Sequence, residues 1–217
     1  MSSGPTNAFS QIYSQNVWGF GSGHGSLPRV TKSYRAFIET FIRENVVKNV
    51  TDFGCGDWQF SRLIDWSGAK YLGLDIDSKL IEQNGSRYGS EQVCFEVAPT
   101  RFSDVASGEL LLVKDVLQHL PTAVVQQFIA DVVSRFRFTL ITNCVRPAAS
   151  LNREIQAGDW RPLDLRFPPY SYDVPAVFAY SSPIMFSFRK FKAYPSSHKV
   201  VLLFSNNATR HAIVNHL

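Results

Sequence analysis

The feature that most constrains this chain is an alternation. Five short apolar runs, NVTDF (49–53), KYLGLD (70–75), QVCFEV (92–97), ELLLV (109–113) and FTLITNCV (138–145), are separated by segments with turn residues or helical spacing. Before the first run, Tyr34, Phe37, Ile38, Phe41 and Ile42 recur at i, i+3, i+4, i+7 and i+8, one apolar stripe of a helix. Asp57 is placed to cap a helix carrying Phe60, Leu63 and Ile64, and Ser78 to cap one through Leu80 and Ile81. Pro121 suits a first helical turn, with Val124, Val125, Phe128, Ile129, Val132 and Val133 as its apolar face. Strands alternating with helices are βαβ units, so the expected class is α/β: a parallel sheet between helical layers. Right-handed crossovers then put every strand's C-terminal end on one edge, where ligands bind.

After Val145 the rhythm breaks. A proline-rich stretch at about 146–175 reads as a long loop, a kind that is usually functional or disordered. AVFAY (176–180) and HKVVLLFS (198–205) read as two late strands forming an antiparallel pair at one side of the sheet. Residues 1–28, rich in Gly, Ser, Asn and Gln, form an arm separate from a single domain at 29–217.

At 217 residues, with 45% hydrophobic and 18% charged side chains, the chain is a globular one. No run approaches the roughly 18 apolar residues of a membrane span. MSSGPTNAFSQ has neither the basic nor the apolar region of a secretory signal. Cys55, Cys94 and Cys144 are scattered without metal-ligand spacing, so the reading is a cytoplasmic protein with reduced thiols and no metal site. The charge is uneven: eleven Lys and Arg face fourteen Asp and Glu up to Ser134, but eleven face four from Arg135 onward. That basic third is either a solvated surface or an attractor of anionic partners.

VTDFGCG is the most informative motif. A strand ends in an acid, and Gly54-Cys55-Gly56 makes a tight turn where a ligand can approach the backbone. Asp75 closes the next strand about 20 residues on, where a carboxylate accepts hydrogen bonds from ribose hydroxyls. A dinucleotide fingerprint would need a third glycine, and Gln59 stands there. Asp52, two residues before the first glycine, would repel a pyrophosphate and attract a sulfonium or ammonium.

VTDFGCGDWQFSRLI, YLGLDID and LLLVKDVLQHLP resemble, in order and spacing, the first, second and fourth motifs of class I S-adenosylmethionine-dependent methyltransferases. The resemblance covers about 49–145 and implies a Rossmann-like seven-stranded sheet, mostly parallel with its last strand antiparallel. It implies S-adenosyl-L-methionine as cofactor, with Asp52, Gly54 and Gly56 along the methionine part, Asp75 on the ribose and Ile76 against adenine. Cys55, Trp58 and Asp115 complete the expected cofactor set. Trp58 departs from the family, which often has glycine there, and EVAPT offers only Glu96 or backbone where an acid often meets the adenine amine.

For catalysis the candidates are Asp115, His119 and His24. Asp115 faces substrate or fixes a loop, and His119 is a base or a hydrogen-bonded structural residue. His24 sits in a glycine-rich arm that is either a lid or a tail. Asp159, Trp160 and Arg161 either grip substrate or pin their own loop. The leading expectation is methyl transfer to O or N of a small-molecule or glycan acceptor. The alternatives are RNA or protein methylation through the basic third, or a non-catalytic cofactor-binding partner. The Asn-Pro-Pro-aromatic signature of amino-group nucleic-acid methyltransferases is absent, the fourth strand ending in KDVLQ instead.

Overall fold

The computed structural model describes residues 13, 15, 17, 18, 21–146, 148–187, 192–194 and 196–205. Helix α1 (Lys32–Glu44) leads into β1 (Asn49–Phe53), β2 (Lys70–Asp75), α2 (Ser78–Tyr88), β3 (Val93–Val97), β4 (Gly108–Lys114), α3 (Thr122–Val132) and β5 (Phe136–Cys144). The late strands are β6 (Ala176–Ser182), a short hairpin of β7 (Met185–Ser187) and β8 (Lys192–Tyr194), and β9 (Ser197–Ser205). Seven strands form one sheet in the order β3-β2-β1-β4-β5-β9-β6. Neighbours from β3 to β5 are parallel, and β9 is antiparallel to both β5 and β6. The expected sheet, with its antiparallel late pair, is the observed one.

Strand alternation divides the sheet's side chains between two cores. Leu110, Leu112, Phe138, Leu140, Val201 and Leu203 face α1, whose Tyr34, Ile38, Phe41 and Ile42 are buried as the stripe requires. Leu111, Val113, Ile141, Val200 and Leu202 face α3, through Val125, Phe128, Ile129 and Val132. Each such side chain contributes about 1.5–3 kcal/mol by leaving water. No helix among the described residues is long and apolar enough to cross a membrane.

Two capping expectations change. Asp77, not Ser78, caps α2, its side chain accepting the Leu80 N–H at 2.9 Å. Between β1 and β2 there is no α-helix, only a 3-10 turn at Ser61–Leu63. Gly56 (φ 59°) and Trp58 (φ 54°) both take left-handed conformations, which an α-helix cannot start through. Trp58 bears that strain because its indole packs against Tyr71, Tyr88 and Phe95, with ring centroids 5.0–5.5 Å apart.

Candidate active site

The strand order reverses direction between β1 and β4, and a crevice opens there beyond the strand ends. A cavity of about 880 Å³ occupies it, lined by the tips of β1, β2, β4 and β5, the start of β9 and residues of the N-terminal arm.

At one end stand Asp52 and Asp75. Asp52 is buried and accepts hydrogen bonds from the hydroxyls of Tyr71 (2.7 Å) and Ser61 (3.4 Å). Burial pushes its pKa up to about 6, against the pull of those hydroxyls and of Lys114. Asp75 accepts the N–H groups of Gly56 (2.9 Å) and Asp77 (3.2 Å), and burial raises its pKa despite them. Gly54 turns the chain between them at φ 79°, its N–H donated to the Leu74 carbonyl at 2.7 Å. A Cβ on Gly54 would come within 2.3 Å of Val116 Cγ2, so a side chain there would drive the β1 and β4 tips apart. Cys55, Gly56 and Ile76 also line the cavity.

At the other end, Asp115 follows β4 in a left-handed conformation (φ 60°). Its two carboxylate oxygens are each held at 2.5 Å by an ammonium, Lys114 on one and Lys199 on the other. Burial alone would raise the Asp115 carboxyl, but the two lysines outweigh it and hold it well below the usual carboxylate range. An acid so clamped orders its lysines and is a poor proton acceptor. Burial lowers the pKa of Lys114, with Asp115 opposing.

His119 also lines the cavity. One ring nitrogen, Nδ1, lies 2.8 Å from the Asp159 carbonyl, which only accepts, so Nδ1 carries the proton and Nε2 is the acceptor. Burial pushes its pKa down to about 4, so the ring is neutral near pH 7. His24 shares this end, its pKa lowered by burial and then by Lys199 and Arg29.

Several arm residues reach the cavity. Trp18 lies against His119 with ring centroids 4.9 Å apart, and Tyr13 meets Ser22 at 3.2 Å. Ser22 and Asp57 are tied reciprocally, the Ser22 N–H donating to the Asp57 carboxylate (3.2 Å) and the Asp57 N–H to Ser22 Oγ (2.9 Å). Asp57 therefore fastens the arm rather than a helix. Lys114 Nζ donates to the Gly25 carbonyl at 3.1 Å.

Three expected site residues lie elsewhere. Trp58 is outside the cavity, in the aromatic core described above. Arg161 is fully buried, donating its guanidinium to Tyr170 Oη at 2.8 Å and its backbone N–H to the Gln118 carbonyl. Asp159 holds His119 through its carbonyl and turns its carboxylate to the Gln156 N–H, 3.2 Å away. Of Asp159, Trp160 and Arg161, only Trp160, 40% exposed, lines the cavity. Of the basic C-terminal third, Arg189 and Lys190 lie outside the described residues. Sequence reasoning missed Lys114 and Lys199, whose flanking apolar runs give no sign that an ammonium is buried.

Asp52 makes the site pH-dependent in a stated direction. Its raised pKa means the folded chain holds a proton there more tightly than the unfolded chain, so the stability this contributes at low pH is lost as pH rises through about 6. A cationic ligand needs the ionised form. For a ligand whose ammonium sits beside Asp52, calorimetric affinity is expected to fall about tenfold from pH 7 to pH 5, and Asp52→Asn to flatten that dependence. An unchanged slope in the variant would remove Asp52 from the ligand's surroundings.

The strand order, the antiparallel β9 and the crevice between β1 and β4 together define the fold of the class I methyltransferases. Magnesium protoporphyrin IX methyltransferase (ChlM) from Synechocystis PCC 6803, solved with bound SAM, is similar over 94% of this chain and 99% of its own, at 15% identity and a TM-score of 0.60. TehB from Haemophilus influenzae is similar over 80% of this chain at 11% identity and a TM-score of 0.56; the match spans 64% of TehB's length. The methyltransferase domain of bacterial CtHen1 is similar over 80% of this chain and 97% of its own, at 14% identity and a TM-score of 0.51. No protein-family model matches the chain. No curated protein matches it either.

Proposed function

We propose that this chain is an S-adenosylmethionine-dependent methyltransferase acting on an O or N nucleophile of a small-molecule or glycan acceptor. The observation that carries this reading is the pairing of Asp52 and Asp75 around the Gly54–Gly56 turn at the fold's ligand-binding edge. The chemistry of that end fits the cofactor. Asp52 is a buried carboxylate hydrogen-bonded by two hydroxyls and suited to a neighbouring cation, and Asp75 has acceptor capacity left for ribose hydroxyls. When bound, the cofactor supplies an electrophilic methyl on a sulfonium.

The chain's own task is alignment and exclusion of water, from which several kcal/mol of barrier reduction are available. Trp18 and Trp160 offer flat apolar walls, and the arm covers the cavity. His119, neutral and anchored through Nδ1, is the group placed to take a proton at Nε2. Its low basicity suits an acceptor whose proton is lost late or is already acidic. Asp115 orders Lys114 and Lys199 instead.

A tritiated-methyl survey of small metabolites, glycans, RNA and protein with the purified chain tests the reading directly. Label in small molecules or glycans is the expected result; label in RNA or protein alone would move the acceptor to a macromolecule. In a parallel gel shift, single-stranded RNA is expected not to bind. Binding that weakens about 10³-fold between 50 and 200 mM salt would show phosphate neutralisation by several cations and overturn the small-molecule assignment.

A further inference from the structure

Lys199 is a buried cation that shares its one bound carboxylate. Asp115 carries one negative charge, yet two ammonium groups are bound to it. Lys114 has a second task, tying down the Gly25 carbonyl, and its charge also rests over the Phe60 ring at 5.0 Å. Lys199 has Asp115 as its one side-chain hydrogen-bond partner among the described residues. An ammonium has three N–H donors, so two of them have no acceptor among the described residues. The Lys199 side chain is only 4% exposed. A buried ammonium with donors left unpaired is costly unless something in the cavity accepts them.

Its position says which ligand that is. Lys199 stands on β9, three strands from Asp52 on β1, and its ammonium reaches Asp115 just past the tip of β4. The two acids hold the cofactor end, while beyond Asp115 the cavity presents the Lys199 ammonium with the hydroxyls of Ser26 and Ser197. That end repels a cation and accepts an anion. We propose that Lys199, backed by Lys114, is an oxyanion subsite for the acceptor, so the molecule methylated carries a carboxylate or phosphate group. This rests on the methyltransferase reading for the word acceptor, but not for the anion site itself.

The test uses the full chain saturated with S-adenosylhomocysteine, titrated with inorganic phosphate and, separately, with acetate, chloride being exchanged to hold ionic strength constant. A saturable rise in thermal midpoint with at least one anion is expected, and which anion acts separates phosphate from carboxylate. Lys199→Met leaves Asp115 its Lys114 partner, so a folded protein is expected, with the anion response weakened at least tenfold and S-adenosylhomocysteine affinity within twofold. Lys199→Arg should restore the response. A flat titration of the unaltered protein by both anions overturns the proposal without any variant, and so does an unchanged response in Lys199→Met. Loss of S-adenosylhomocysteine affinity in Lys199→Met would instead give the cation to the cofactor's own carboxylate, which also overturns it. If the unaltered protein fails to bind S-adenosylhomocysteine, the methyltransferase reading falls, while the anion titration of the unliganded chain still reads Lys199.

Discussion

Asp75→Ala is expected to weaken S-adenosylhomocysteine binding by about 1–3 kcal/mol, roughly 5- to 150-fold, from a micromolar starting point near −8 kcal/mol. The effect has two parts. The carboxylate that would accept the ribose hydroxyls is lost, and the buried N–H groups of Gly56 and Asp77 lose their acceptor at 2.9 and 3.2 Å. The second part also lowers thermal stability, whereas the first does not. Asp75→Asn keeps one carbonyl acceptor and should lie between the two in both readouts. Calorimetry with NAD in place of S-adenosylhomocysteine is expected to give no binding heat. Tight NAD binding with no S-adenosylhomocysteine signal would refute the cofactor assignment, and with it the reaction.

Removing residues 1–27 is expected to abolish methyl transfer and weaken cofactor binding about tenfold or more, while leaving the sheet and both cores folded. Among the described residues neither core contains one from this segment, and the domain's own loss is chiefly the Leu27 carbonyl that accepts from Val30 and Thr31. The cavity has much to lose. Trp18 leaves the His119 ring, Lys114 loses the Gly25 carbonyl, and Asp57 loses both of its hydrogen bonds to Ser22. Water then reaches the reacting atoms, which weakens every electrostatic contact in the site. Hydrogen exchange supplies the second readout, with amides at 21–26 expected to be more protected when ligand is bound. Equal protection with and without ligand would show that the arm is not a lid.

The α/β class, five of the seven sheet strands almost to the residue and the acid-glycine turn at the edge of the sheet were legible in the sequence. Each rests on neighbours in the chain. Period-2 and period-3.6 patterns are local, and Asp52, Gly54 and Gly56 share one turn. Asp75 is tied to that turn by a single parallel pairing, Asp52 opposite Gly73. The β1–β2 connection was misread because Asp57 has the right chemistry for an N-cap. Two left-handed residues beside it, Gly56 and Trp58, forbid the helix, and nothing in a tryptophan's identity announces a positive φ. For Arg161 and Asp159 composition left open whether they grip substrate or pin their loop. The loop that carries them is held down by those same residues, Arg161 on Tyr170 and the Asp159 carbonyl on His119.

By itself, then, the sequence determined the order of strands and helices and the acid-glycine-acid end of the site, because local periodicity and a single turn encode both. The acceptor end was decided by tertiary structure. Because β9 runs antiparallel, its first residues lie at the edge where the parallel strands end, with Lys199 opposite Cys144. That reversal carries an ammonium to an aspartate 84 positions away in the chain. No spacing rule links two such residues, and only closure of the sheet brings their charges together.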